Sequence, residues 1–458
     1  MSGLALESAG NGGAFAPPAS SADDRRIAEA VFDALWAGGI TWWILFWIAV
    51  AGTLLFIGAV TYSVARGIGV WGNNIPVAWA FPIVNFVWWI GLGHAGTFIS
   101  AFLLLLDQRW RSGVNRLAET MTIFALINAS LFPLLHLGRP WFSYWLLPYP
   151  ATMGVWPNFK SSLTWDLAAI FSYFTVSLLF WYLGMIPDLA AVRDRAPSRK
   201  RRLTYGIFAL GWAGSGTEWR RRNSALLIIA AIAAPLVFSV HSVVSLDFTV
   251  AQLTGWHETL FPPYFVIGAI YSGLALVLVL SVTVRAAYGL HDVITETHFD
   301  RLAKITLVVG LLLMYCYVVE MFSAWYSGDP YERAQYFVHR WHGPFAFIYW
   351  IMLAMNFLTP QLFWFARLRR SAVVVAIAGS LILVAMWLER FVIIVGSLSR
   401  GFLPSSWREY APTWVDLSIL GGSIAFFSLL YLLFLRFLPL AAASELRADR
   451  FLSSRGEA

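Results

Sequence analysis

Apolar positions in this chain fall in ten continuous runs. They do not form the single stripe of a water-facing helix or the alternation of a half-buried strand. The runs lie near 41–65, 78–106, 118–138, 161–186, 223–248, 263–287, 303–326, 343–366, 372–396 and 413–438. Each is long enough, as a helix, to cross a hydrocarbon core of ~30 Å. Lipid admits only helices or closed barrels, because every backbone polar group must be satisfied internally, and unbroken apolar runs point to helices. Proline within the runs is isolated (Pro133, Pro235, Pro360) and marks a kink or a start. The pattern predicts an all-α polytopic membrane protein with ten spans.

Composition agrees. Of 458 residues, 59% are hydrophobic and 12% charged, against roughly 45–50% and 25% in soluble domains. That excludes a water-soluble enzyme. Residues 1–30 are rich in Ala, Gly and Ser, and no apolar stretch follows an N-terminal basic cluster. No cleaved signal peptide is expected; an interfacial helix over 26–36 is.

The net charge of +7 distributes by loop. The N-terminal tail, the loops near 107–117, 187–222, 285–304 and 367–370, and the C-terminal end carry 24 of the 32 Lys and Arg residues. The opposite side carries seven, and Arg390 lies inside a span. This asymmetry predicts both termini in the cytoplasm. It reads as topology and contact with anionic lipid, not as nucleic-acid binding. The one cysteine, Cys316, forms no intrachain disulfide and cannot hold an iron–sulfur cluster.

A weak internal repeat is visible. Phe81-Pro82 opens the second span and Phe261-Pro262 the sixth, 180 residues later. An offset of four helices preserves direction, so the repeat is parallel. It predicts a tail (1–40), a first helix and loop (41–77), a four-helix bundle of helices 2–5 (78–260), a second of helices 6–9 (261–400), and a last helix with tail (401–458).

Ionisable residues inside spans are costly and point to function. Here they are His94, His136, Asp166, His241, Asp247, Glu320, Glu389, Arg390 and Asp416. Apart from His94 they gather toward the extracytoplasmic side, leaving little in the inner half. His136 and Asp166 flank the hairpin between the third and fourth spans. The connecting segment, GRPWFSYWLLPYPATMGVWPNFKSS, predicts a rigid aromatic cover. A quinol needs an apolar slot and an acceptor for each proton it loses, which imidazole and carboxylate supply. A capping Asp with an interfacial His accounts for the same residues structurally. Glu389 and Arg390 point about 100° apart and need partners elsewhere, for instance Glu320 for Arg390. His241 suits a hydrogen-bonded chain with Ser245. His94 sits in GLGHAGT, whose small residues allow close helix packing. His339 and His342 read as surface residues of an exterior loop, and no helix carries a two-haem histidine pair.

The stretches GLGHAGTFISAFLLLLDQRWR, INASLFPLLHLGRPW, WPNFKSSLTWD, FSVHSVVSLDF, GWHETLFPPYFV and WLERFVIIVGSL resemble the NrfD/PsrC-like membrane subunits of polysulfide-reductase type, including those of alternative complex III. The resemblance runs from about 40 to 440. It implies a ten-helix subunit without haem or iron–sulfur cluster of its own, which oxidises menaquinol or ubiquinol. Electrons would pass to an extracytoplasmic iron–sulfur subunit and a multihaem cytochrome c. A homologous membrane subunit and a terminal oxidase are further implied partners. The quinol site would fall on His136, Asp166 and Arg139, and proton transfer on His241, Asp247, Glu320, Glu389 and Arg390. A membrane anchor of a polysulfide reductase-type complex is a second implication. A secondary transporter is a rival of another class, although no span is broken by Gly and Pro at the midplane.

Overall fold

The computed structural model describes residues 39–147 and 162–446, together with 29, 31–33, 35 and 36. The described residues form helices and connecting turns, with no strand among them. Ten helices are long and apolar enough to span a membrane. They are α1 (Ile40–Arg66), α2 (Ala80–Leu105), α3 (Asn115–His136), α4 (Ser162–Arg195), α5 (Gly216–Thr249), α6 (Phe261–Tyr288), α7 (Glu296–Tyr326), α8 (Ala346–Leu358, extended by a 3-10 turn over Pro360–Trp364 to complete its span), α9 (Ala372–Phe391) and α10 (Trp414–Phe437). The protein is an all-α polytopic membrane protein.

Local chemistry sets the helix ends. Ser215 and Glu218 close a capping box on α5, and Thr413 and Asp416 close one on α10. Pro262 opens α6 in its first turn, where a missing N–H leaves nothing unsatisfied.

Helices α2 and α6 are the most enclosed, and they pack on each other at the centre. α2 also meets α3 and α5, α6 meets α7 and α9, and α4 lies against α5. α1 runs beside α10 at the margin and turns Ile44, Trp47, Ile48 and Leu54 outward. The small residues around His94 do what their size suggests. A Cβ on Gly96 would run into the backbone of Ala118 on α3, and one on Gly273 into Ala95. Only hydrogen at these positions lets α2 approach both neighbours.

Two features depart from the pattern along the chain. α3 begins at Asn115, so Arg116 and Glu119 lie within a membrane helix and are buried. Segment 327–342 is not a loop: Pro330–Ala334 is helical and runs into a π turn over Gln335–His339. A second π turn, Val392–Gly396, follows Arg390 on α9. Gln335 on the first donates to Ser397 just beyond the second at 3.3 Å.

Candidate functional site

The ends of α2, α3 and α4 on the arginine-poor face enclose a cleft of about 60 Å³. Trp79, Ile83, Phe86 and Leu167 form apolar walls, and His136 and Asp166 supply the titratable groups. His136 is the last residue of α3, one turn after Pro133. Its ring stacks on Trp79 (centroids 5.2 Å apart, planes at 18°) and meets Phe86 edge-on at 5.9 Å. The backbone of Pro82 lies beside the imidazole. Nε2 is buried and has no hydrogen-bond partner. In the tautomer that carries its proton on Nδ1, Nε2 is the basic nitrogen.

Asp166 is buried, neither of its carboxyl oxygens has a hydrogen-bond partner, and Asp247 is the acidic group nearest to act on it. Three residues that lie far apart in the chain thus meet at one place. Arg139 is exposed on the turn beyond α3 and does not line the cleft. The aromatic segment is helical over Pro140–Leu146, with Trp141, Tyr144 and Trp145 exposed. Residues 148–161 of the expected cover lie outside the described residues.

His241 does not bond to Ser245, whose hydroxyl donates to the Ser242 carbonyl. It meets His94 of α2 instead, Nδ1 to Nδ1 at 2.7 Å, with both rings fully buried. The reason is geometric: Ser245 turns back onto its own helix, while α2 brings His94 alongside α5. Toward the basic face the Tyr173 hydroxyl donates to the His94 carbonyl at 2.6 Å and lies near Thr97 and Ser177. Thr97 N–H donates to Thr122 Oγ1 at 2.8 Å, and Ser100 donates to Glu119 at 2.5 Å.

Beyond Glu119 lies a cluster that sequence reasoning missed. Arg116 pairs with Asp188 at 3.0 Å and Glu119 at 3.7 Å, and donates to the carbonyls of Trp181 and Gly184. Arg111 and Arg222 hold Glu445 at 3.0 and 3.1 Å. These cations keep the Glu445 carboxyl well ionised, at about 2, despite burial. The half of the helices toward the arginine-rich face, expected to hold few polar groups, is therefore not poor in them. Reading the third run from residue 118 put Arg116 in a loop and left Glu119 at its edge, where neither drew notice. Both lie within three residues of that boundary.

The pairing expected between Glu320 and Arg390 is also replaced. Glu320 pairs with Arg340 at 3.1 Å, and Arg390 with its neighbour Glu389 at 3.1 Å. Two adjacent residues meet because the long guanidinium arm folds back, held over the Phe265 ring at 4.1 Å beside Gly268, where a side chain would collide with it. Glu389 further accepts from Tyr317, whose oxygen accepts from Asn356 at 2.8 Å. Arg340 comes from the segment expected to be an exterior loop and stacks on Tyr336 at 3.9 Å. His342 is exposed, whereas His339 is half-buried and edge-on to Trp407.

The Tyr336 hydroxyl lies 2.6 Å from both Glu258 and Glu320. One phenolic proton serves one carboxylate, so the other bond needs a protonated carboxyl. Glu258 supplies it, since burial and the Glu320 charge push it up to about 8. Among the described residues no group of three or more His, Cys, Asp or Glu could hold a metal ion.

Comparison with known proteins agrees with this architecture. The chain is 26% identical over 439 residues to a putative dimethyl sulfoxide reductase membrane subunit of Halobacterium salinarum, covering 87% of this chain and 92% of that one. It is 24% identical over 387 residues to a selenate reductase subunit of Mesobacillus selenatarsenatis, covering 79% and 86%. The family described as polysulphide reductase, NrfD matches residues 69–400, and the chain belongs to that NrfD family.

Proposed function

We propose that this chain is the quinol-oxidising membrane subunit of a multi-subunit oxidoreductase. The observation that carries this reading is the apolar cleft in which the partnerless Nε2 of His136 faces the same space as Asp166. A quinol headgroup there loses two protons and two electrons. His136 Nε2 takes one hydroxyl proton, and the ionised Asp166 carboxylate takes the other. The electrons leave the chain for a partner, because quinone is bound here as substrate and this reading gives the chain no centre of its own. Arg139, at the rim, would attract the partner or the lipid headgroups around the opening.

Orientation belongs to the same proposal. The basic face is cytoplasmic, so the cleft opens on the extracytoplasmic side of a bacterial inner membrane, where an iron–sulfur partner collects electrons. Helices α2–α5 act as the quinol bundle and α6–α9 as a second, homologous one. The polar groups from Glu119 through His94 and His241 to Asp247 support proton movement coupled to quinol oxidation. Glu320, Glu389 and Arg390 would serve the second bundle likewise.

Two acceptors fit. The relatives are named as subunits of reductases, and a reductase consumes electrons, which supports quinol oxidation feeding a reductase-type catalytic partner. The alternative complex III reading shares the chemistry at the cleft but sends electrons to a multihaem cytochrome c, with a homologous membrane subunit and a terminal oxidase nearby. Subunits that co-purify separate the two.

The site is tested by His136→Ala and Asp166→Asn in membranes that contain the partners. Each should lower quinol-dependent reduction of the partner by about 10²–10⁴-fold, with the co-purifying subunits retained. Near-normal turnover in both variants rejects the site.

A further inference from the structure

Trp79 is half-buried at the start of α2, on the wall of the cleft. Aromatic residues at a membrane boundary commonly anchor a helix among headgroups, with the ring turned to lipid. Trp79 is placed differently. Its indole lies parallel to the His136 imidazole, with centroids 5.2 Å apart and planes at 18°. Phe86 meets the same imidazole at 89° and Phe132 at 40°. The imidazole is held on a face and at its edges by these three rings. Its Nε2 is left without a hydrogen-bond partner.

The backbone next to Trp79 is bent at a cost. Ala80 has φ 46°, in the left-handed region, and is fully buried. A non-glycine residue there costs on the order of 1–3 kcal/mol. The bend turns the chain at Trp79, which itself sits at φ −111° and ψ −10°, immediately before α2 begins. Strain of this kind persists where the surroundings fix it, and here they include the stack on His136.

We propose that Trp79 is a positioning residue that fixes the plane of His136 so that Nε2 points at the quinol hydroxyl. The proposal rests on the reading of His136 as proton acceptor and adds the residue that aims it. A base in reach but free to rotate loses much of its advantage, since misplacement by about 1 Å can cost on the order of 10²-fold in rate. Wall contact alone would act on substrate binding, and orientation acts on turnover.

The test uses Trp79→Phe and Trp79→Met in the assembled complex, with partner subunits quantified. Phe keeps a ring to stack on, and Met keeps apolar bulk without one. Trp79→Met should lower kcat for quinol oxidation about tenfold or more with KM changed less than about threefold, and Trp79→Phe should recover most of kcat. In parallel, carbethoxylation of His136 by diethyl pyrocarbonate, read by mass spectrometry, should run several-fold faster in Trp79→Met than in the parent. This labelling does not require activity, so it also decides the matter for a poorly active variant. An unchanged kcat, a rise in KM alone, or unchanged labelling overturns the proposal. Loss of turnover in His136→Ala with normal turnover in Trp79→Met rejects the positioning role and leaves the site standing. Normal turnover in His136→Ala rejects the site itself.

Discussion

Arg116 offers the sharpest energetic test of the architecture. Its side chain is 1% exposed and faces Asp188 at 3.0 Å and Glu119 at 3.7 Å, with carbonyls of Trp181 and Gly184 around it. Replacing it by methionine keeps apolar length but strands two buried acids. Asp188 retains one backbone donor, Ser444 N–H at 3.1 Å, and Glu119 retains Ser100. Removing one partner of a buried pair typically costs 3–5 kcal/mol, because the remaining charge is uncompensated. Arg116→Met should therefore destabilise by about 3–5 kcal/mol. Replacing the pair together, Arg116→Met with Asp188→Leu, should cost less than the single change, since an apolar pair of similar size needs no compensation. Arg116→Lys should fall between, as a point charge keeps the pairing but loses the fork. Unfolding free energies of the purified protein in mixed micelles would measure all three. An Arg116→Met protein within about 1 kcal/mol of the parent, or a double variant worse than either single one, would refute the reasoning.

Two further outcomes are expected. Glu258 holds its proton in the folded protein up to about pH 8, whereas its ordinary value is 4.5. The folded state binds the extra proton between those values, so stability falls as pH rises through that window and levels off above it. Glu258→Gln, which keeps a partner for Tyr336, should remove this slope, and its Tm should gain on the parent from pH 5.5 to 8.5. A constant gap would count against the buried Glu258–Tyr336–Glu320 chain. Reporter fusions at residue 205 and at the C-terminus should read cytoplasmic, and one at residue 150 extracytoplasmic. The reverse result would put the His136 cleft on the wrong side of the membrane for the proposed partner.

The membrane fold was legible in the linear sequence because lipid imposes a constraint that each segment meets alone. Twenty apolar residues in a row must become a helix whatever lies beside them, and ten runs became ten spans, although α4 runs on to Arg195 and α5 and α7 begin at Gly216 and Glu296, well outside the apolar runs. His136 and Asp166 were legible as a pair for a related reason: they sit at the two ends of one hairpin, so chain connectivity brings them close. What connectivity does not decide is which helix faces which. His94 looked like a packing residue until α2 and α5 came together and set it against His241. Arg390 was assigned to Glu320 on helical angle alone, but the cavity beside Gly268 bends its side chain back to Glu389, and Arg340 enters from a segment read as loop. Glu119 and Arg116 were hidden by a boundary drawn three residues late, since a charged residue at the end of an apolar run resembles a loop residue unless its partners are known. Burial of a charge depends on neighbours supplied by other helices, Asp188 for Arg116 and Arg111 with Arg222 for Glu445. Hydropathy along one strand of sequence carries no record of them, and only the packed tertiary structure decides them.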